Sequence, residues 1–377
     1  MTTMRRIGRL VAVPVGAIVL AFLVGAVVLI VSSPLVTGHL DVLLPLRTYG
    51  ALIEGSLLSF NAIIDTIVNA TPLILVGLAV GVGFKAGLFN IGGQGQFLVG
   101  ALAATGVGAA LATSSPFIAA PLALTAGLFA GALYGFIPGV LKAYTGAHEV
   151  VTTIMLNYIA FQLVGYAIAG PLRAQGASFA RSPDVGAAAL PGIINLGSGH
   201  EAHLGVLIPL LVVPAIWWLL FRSTSGFEIR TVGANPDAAR YAGMKPRRIV
   251  VFALSLGGLL AGMAGAIEIL GRDRYMAAAY STNIGFEAIT VALLGRAHPV
   301  GIVFGGLLLG GMRAGGAAMQ SQAGIPIQMI DLLQGVILFF LAAELVVRKV
   351  FRIRAAPTAV DELQTVTRTY SGQTTAP

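Results

Sequence analysis

Cysteine is absent from all 377 residues. That excludes disulfides, thiol chemistry and cysteine-ligated metals. Charge is scarce as well: Asp, Glu, Lys and Arg make up 10% of the chain, against about 25% in a soluble domain. A soluble fold of this length cannot cover its surface with so few charges, so an ordinary cytosolic enzyme is excluded. A mean hydropathy of +0.88 excludes a disordered chain. The strings that mark nucleotide and hydrolase chemistry are missing too. Without GxxxxGK[ST] the chain cannot bind and split ATP by a phosphate loop of its own, and without GxSxG a hydrolase has no visible nucleophile. His200 and His203 stand three apart in a Gly/Ser-rich loop, not four apart on a helix, so the zincin pattern is not met. No metal and no cofactor is expected.

What the chain does have is long uncharged runs. Residues 86–141 contain no Lys, Arg, Asp or Glu across 56 positions. About 20 apolar residues cross a bilayer, so this stretch holds two crossings. Residues 10–40, 150–172, 202–221 and 249–267 are further uncharged runs. Glycine supplies 49 residues. In lipid each helix closes its own hydrogen bonds, and glycine lets two helices approach closely. The pattern predicts an all-α integral membrane protein of about ten transmembrane helices: 10–31, 61–84, 97–113, 117–141, 150–170, 205–221, 249–270, 285–294, 300–318 and 327–347. A short interfacial helix is expected near 48–59. Residues 1–9 are expected to form a cytoplasmic N-terminus, 10–347 a single transmembrane domain, and 348–377 a cytoplasmic tail.

The net charge of +8 follows this layout. With both termini inside, seventeen Lys and Arg fall on the inner side and five on the outer, and Arg313 is left within a helix. Positive charge concentrates in cytoplasmic loops, so the ratio supports the orientation. The loop 171–204 then lies outside and the polar connector 222–248 inside. No basic domain interleaved with aromatics exists, so no nucleic-acid partner is expected; the lipid bilayer is.

Several constellations stand out. Glycine-rich breaks at 87–96 and 295–299 interrupt helices in corresponding halves, a hint of an internal repeat and of a solute path. Gly127, Gly131, Gly135 and Gly139 recur every fourth residue, either as a static packing face or as a seam that another helix rides against. Glu149, Thr152, Thr153 and Asn157 form one polar stripe, Asn61, Asp65 and Asn69 another, and Glu268, Glu287 and Asp331 are further acids in or beside helices. Together they suggest a polar conduit. In the connector, Asn235-Pro-Asp-Ala-Ala-Arg-Tyr-Ala-Gly243 reads as a short, fully capped helix. Asn235 suits the N-cap, Pro236 the first position, Asp237 the dipole and Gly243 the left-handed stop. It is either an interfacial connector or a docking helix for a cytoplasmic partner.

Four segments carry a family resemblance: GLFNIGGQGQFLVGA at 87–101, EVVTTIMLNY at 149–158, GANPDAARYAG at 233–243 and GFEAITVALLGR at 285–296. In order and spacing they resemble permease subunits of bacterial ABC importers. The branch is the simple-sugar and branched-chain amino acid superfamily, and in particular its nucleoside importers. One departure is Gln94, where many relatives carry Glu. The resemblance implies a multi-pass subunit of the bacterial cytoplasmic membrane that is not itself an enzyme and forms half of a translocation pathway. Its implied partners are a second, non-identical permease, a cytoplasmic ATPase and an extracytoplasmic substrate-binding protein. It implies Asn90, Gln94, Gln96, Glu149, Thr152, Asn157, Phe286 and Glu287 along the solute path. Asn235, Pro236, Asp237, Arg240, Tyr241 and Gly243 are the residues it implies at the ATPase. The solute is expected to be a nucleoside, with a simple sugar as the alternative. An ion-coupled secondary transporter is the more distant reading, because the membrane acids would serve it but the docking helix would not.

Overall fold

A computed structural model describes residues 2–195, 197, 201–278, 280 and 282–351. Among these residues, seven helices are long and apolar enough to cross a membrane. They begin with residues 12–34 of α1 (Thr2–Thr37) and α3 (Phe60–Lys85). α5 (Pro116–Val140) follows, lengthened by a π-turn to Thr145, then α6 (Glu149–Ala169). α7 (Ile208–Arg222, extended back to Leu204 by a 3-10 turn), α10 (Pro246–Ile267, lengthened by a π-turn to Asp273) and α12 (Pro299–Ala323) complete the set. An eighth is reached if α13 (Gln328–Ala342) and α14 (Glu344–Val350), bent by 86° at Ala343, form one span.

The sequence reading of about ten differs at three places. The helix expected at 327–347 is broken into α13 and α14. α4 (Gly93–Ala110) opens with Gln94 and Gln96 in its first turn, which lowers its hydropathy. α11 (Ile284–Leu294) has 11 residues, about 16 Å at 1.5 Å per residue, half of a hydrocarbon core. The remaining boundaries lie near those expected, and α2 (Leu44–Leu57) stands for the interfacial helix. α1 already begins at Thr2, inside the segment read as an N-terminal tail. Residues 352–377 of the expected tail lie outside the described residues. The all-α expectation needs one amendment. The loop 171–204 carries an antiparallel hairpin, β1 (Gly192–Asn195) with β2 (Glu201–His203), pairing Gly192 with His203 and Asn195 with Glu201.

The interior mixes Leu, Ile and Val with rows of small residues where helices come closest, and many of the largest apolar side chains lie outside. α3 is buried from Ala70 to Gly83, and α10 from Leu260 to Ile267. Large apolar side chains point outward, including Phe117 at 91%, Leu211 at 75% and Phe304 at 69% exposure. Lipid solvates these groups as well as protein does, so burying them gains little, and packing of small residues holds the bundle. The four-residue glycine row settles its own meaning here. A methyl built on Gly131 would fall 2.6 Å from Gly262 Cα, and one on Gly127 2.6 Å from Ala266 Cβ. Gly127, Gly131, Gly135 and Gly139 all face α10 backbone or Cβ atoms. The row is a close-packed face between α5 and α10.

Contacts divide the loops into two ends. At one, Arg272 donates to Asn69 Oδ1 (3.0 Å) and Glu268 Oε1 (3.4 Å). There Arg274 pairs with Glu201 (3.7 Å), and the Ser182 and Val185 amides donate to Met276 and Arg274 carbonyls. At the other, Lys142 pairs with Glu149 (2.8 Å), Arg230 lies over Phe221 and Arg247 over Tyr144. The acids read as one conduit are thus separated: Glu268 belongs to the first end, while Glu287 and Asp331 face a cleft described below.

Candidate functional site

The first helix break is closed by side-chain amides. A break inside a membrane bundle frees backbone groups that lipid cannot satisfy, and here Asn and Gln supply the partners. Asn90 Oδ1 accepts from the Gly92 amide (3.0 Å), while Asn90 Nδ2 donates to Gln96 Oε1 (3.1 Å). Asn157, on α6, reaches the same turn: its Oδ1 accepts from Gly95 N (2.8 Å) and its Nδ2 donates to Ile91 O (3.1 Å). Within this cluster Gln94 makes the connection that spans the most sequence. Its Oε1 accepts from Gly285 N (2.8 Å) and its Nε2 donates to Thr282 O (2.7 Å). One carboxamide therefore clamps the start of α4 to the start of α11. Asn90, Gln94, Gln96 and Asn157 are all buried, at 2% exposure or less.

The other expected path residues lie elsewhere. Glu149 is paired with Lys142 across the α5–α6 connection, and the Thr152 hydroxyl donates to carbonyls of its own helix. Neither is hydrogen-bonded to the amide cluster; Thr153, one residue on, abuts Gly92 instead. Phe286 and Glu287 stand in the first turn of α11, directly beyond the Gln94 clamp. They line a cleft of about 320 Å³ together with Asn283 and Thr290 on one side and Asp331 and Gln334 of α13 on the other. Glu287 receives both Arg313 Nε (2.8 Å) and Arg313 Nη2 (2.5 Å). This bidentate pair accounts for Arg313, the charge left inside a helix by the orientation count. A paired charge is tolerated where a lone one is not.

The connector is two helices rather than one. α8 (Thr224–Ala234) runs into α9 (Pro236–Tyr241) at Asn235. Asn235 Oδ1 accepts from Asp237 N and Ala238 N, both at 3.0 Å. Asp237 pairs with Arg240 (3.3 Å), and Gly243 takes φ +83° while Met244 N closes onto Ala239 O. Ala239 is buried and Tyr241 is 94% exposed, so α9 turns its far side to open space. Immediately before it, Gly233 lies against the first helix break. A methyl on Gly233 would fall 2.8 Å from Gly87 N, and one on Gly87, at φ +71°, 2.9 Å from Gly233 O. The capped helix, the break, the Gln94 clamp and the α11 cleft are therefore contiguous.

Sequence reasoning missed Gln334 and the partners of Gln94. Gln334 stands one turn after Asp331 in a helix read only for its acid, and Thr282 and Gly285 contribute backbone, which no residue type advertises. Among the described residues no group of His, Asp and Glu is arranged to hold a metal ion.

The sequence family described as "Branched-chain amino acid transport system / permease component" matches residues 62–342. The chain is 38% identical to a guanosine ABC transporter permease protein of Bacillus subtilis, over 89% of this chain and 94% of that one. It is 36% identical to a glucose ABC transporter permease protein of Haloferax volcanii, over 79% and 80%. A nucleoside ABC transporter permease protein of Lactococcus lactis is 32% identical over 90% and 92%. No solved structure matches the chain.

Proposed function

Because the chain belongs to the permease-component family of branched-chain amino acid transport systems, we propose that it is the membrane-spanning permease of an ATP-binding-cassette importer that carries nucleosides. The observation that carries the reading is the near full-length likeness to a guanosine permease. The chain lacks a phosphate loop, so ATP is hydrolysed on a separate cytoplasmic ATPase, and a substrate-binding protein delivers the solute outside. A second, non-identical permease supplies the other half of the path. The protein crosses the cytoplasmic membrane about ten times with both termini inside, α4 and α11 included as short or polar crossings.

The geometry supports a mechanism. ATP-driven closure of the ATPase moves α9 through Arg240 and Tyr241. Because α9 follows directly on α8, and α8 meets the break through the Gly233–Gly87 contact, that motion reaches the amide cluster. Gln94 passes it to α11 through two hydrogen bonds, and α11 carries Phe286 and Glu287 in the cleft wall. The bundle then rocks between inward- and outward-open states, which requires that ATP binding favour one of them differentially. Asn90, Gln96 and Asn157 support the path by fixing the break, and Glu149 and Thr152 hold the start of α6.

The likeness to a glucose permease favours a second reading, sugar import. Uptake assays decide between them. Cells or vesicles containing the chain with its ATPase, second permease and binding protein are expected to accumulate labelled guanosine in an ATP-dependent manner and to leave glucose outside. Accumulation of glucose alone selects the sugar reading, and uptake driven by a proton gradient without ATP overturns both.

A further inference from the structure

Gln334 is 3% exposed, and neither its Oε1 nor its Nε2 has a hydrogen-bond partner. A buried carboxamide without partners costs about 1–3 kcal/mol, and it persists where something else completes it. The side chain lines the α11–α13 cleft beside Asp331, Asn283, Phe286 and Thr290. We propose that this cleft is a solute-binding station on the translocation path, in which Gln334 hydrogen-bonds the edge of a nucleobase. The inference rests on the nucleoside reading and adds where in the chain the base is recognised.

The chemistry of the wall matches the two halves of a nucleoside. A carboxamide presents a donor and an acceptor side by side, as base edges do. Phe286, 39% exposed, offers a ring face against which a base stacks. Asp331, exposed in the cleft, accepts from ribose hydroxyls. Glu287 contributes little direct binding, because Arg313 already occupies both of its oxygens. The cleft volume of about 320 Å³ falls at the lower end of small-molecule sites, and one side is open, as a half-site facing a second permease requires. The station also lies one turn beyond the Gln94 clamp, so movement of α11 changes the distance between Phe286 and Gln334 and releases the base.

The test holds the binding protein, second permease and ATPase fixed and changes only Gln334. In proteoliposomes, Gln334→Leu is expected to lower the maximal guanosine uptake rate about tenfold, the loss of one hydrogen-bonded pair. ATP hydrolysis stimulated by guanosine-loaded binding protein stays within about twofold. Gln334→Asn, which keeps the amide, recovers most of the rate. Wild-type uptake by the Leu variant overturns the station and leaves the nucleoside reading intact. A Leu variant that no longer co-purifies with the second permease overturns it too, because Gln334 is then an interface residue. If the unaltered complex carries no nucleoside, the nucleoside reading fails, and the base-recognition role fails with it.

Discussion

At the scale of single residues, Gln94 is the most constrained side chain of the site. Its amide accepts from Gly285 and donates to Thr282, and a carboxylate performs only the first. Gln94→Glu is therefore expected to place an anion against a carbonyl oxygen and to lower the melting temperature of the purified protein. Leaving one buried partner unsatisfied costs about 1–3 kcal/mol. Lowering the pH from about 8 to about 5 is expected to restore part of that loss in the variant only, because a protonated carboxyl donates again. Melting curves of both proteins at the two pH values check it. His203 gives a pH dependence of the native protein. Burial first, then the Arg274 and Arg272 charges, hold its imidazole down to about 4 from an ordinary 6.5. The folded form requires the neutral ring, so its contribution is complete above about 6.5 and is lost as pH falls toward about 4. Amide protection in β1 and β2, corrected for the intrinsic pH dependence of exchange, is expected to fall as the pH drops through that window, and His203→Gln is expected to flatten the response.

At the scale of elements, α9 shows how a six-residue helix is made rigid. Both of its ends are fixed by side chains or by glycine, and a helix so short has no stability of its own. Asn235→Ala removes two cap bonds, typically worth about 1 kcal/mol. That frays α9 without unfolding the bundle. Gly243→Val forces a β-branched residue to φ +83°, where such residues are outliers, and is expected to be the more damaging change. Both variants are expected to insert normally and to bring ATP hydrolysis without guanosine uptake. Equal uptake by the variants and the native protein would reduce α9 to a connector. The legible part of this element was its caps, because Asn, Pro and Gly act within a few residues. The contact of the preceding helix, α8, through Gly233 with Gly87 joins positions far apart in the chain, and no local pattern announces it.

At the scale of the whole molecule, the proposed orientation, with both termini inside, is a claim about two clusters of basic residues. Lys85, Lys142, Arg222, Arg230 and Arg247 cluster at the α8–α9 end, and Arg181, Arg272 and Arg274 at the other. The native absence of cysteine makes labelling decisive. A cysteine at Ser178, exposed in the loop before β1, is expected to react with an impermeant thiol reagent applied to intact cells. One at Thr224, exposed at the start of α8, is expected to react only after permeabilisation. The reverse pattern would invert the protein and move the ATPase contact away from α9.

The sequence by itself determined that the chain lives in a bilayer, because apolar runs and sparse charge leave no soluble solution, and it determined most helix boundaries, because caps, prolines and charges act locally. Through the family resemblance it also named Asn90, Gln94, Gln96 and Asn157, but only among eight expected path residues that included Glu149 and Thr152. Only the tertiary structure decided that these amides bond the backbone of the break, each other and the start of α11, that Glu149 and Thr152 stand apart from them, and that the last long apolar segment breaks at Ala343. It alone decided that Arg313 neutralises Glu287 and that Gln334 faces the same cleft. The reason is physical: in a membrane bundle the hydrophobic pattern fixes which segments enter the lipid but not which face meets which. Those choices fall to close glycine contacts and to hydrogen bonds between distant segments.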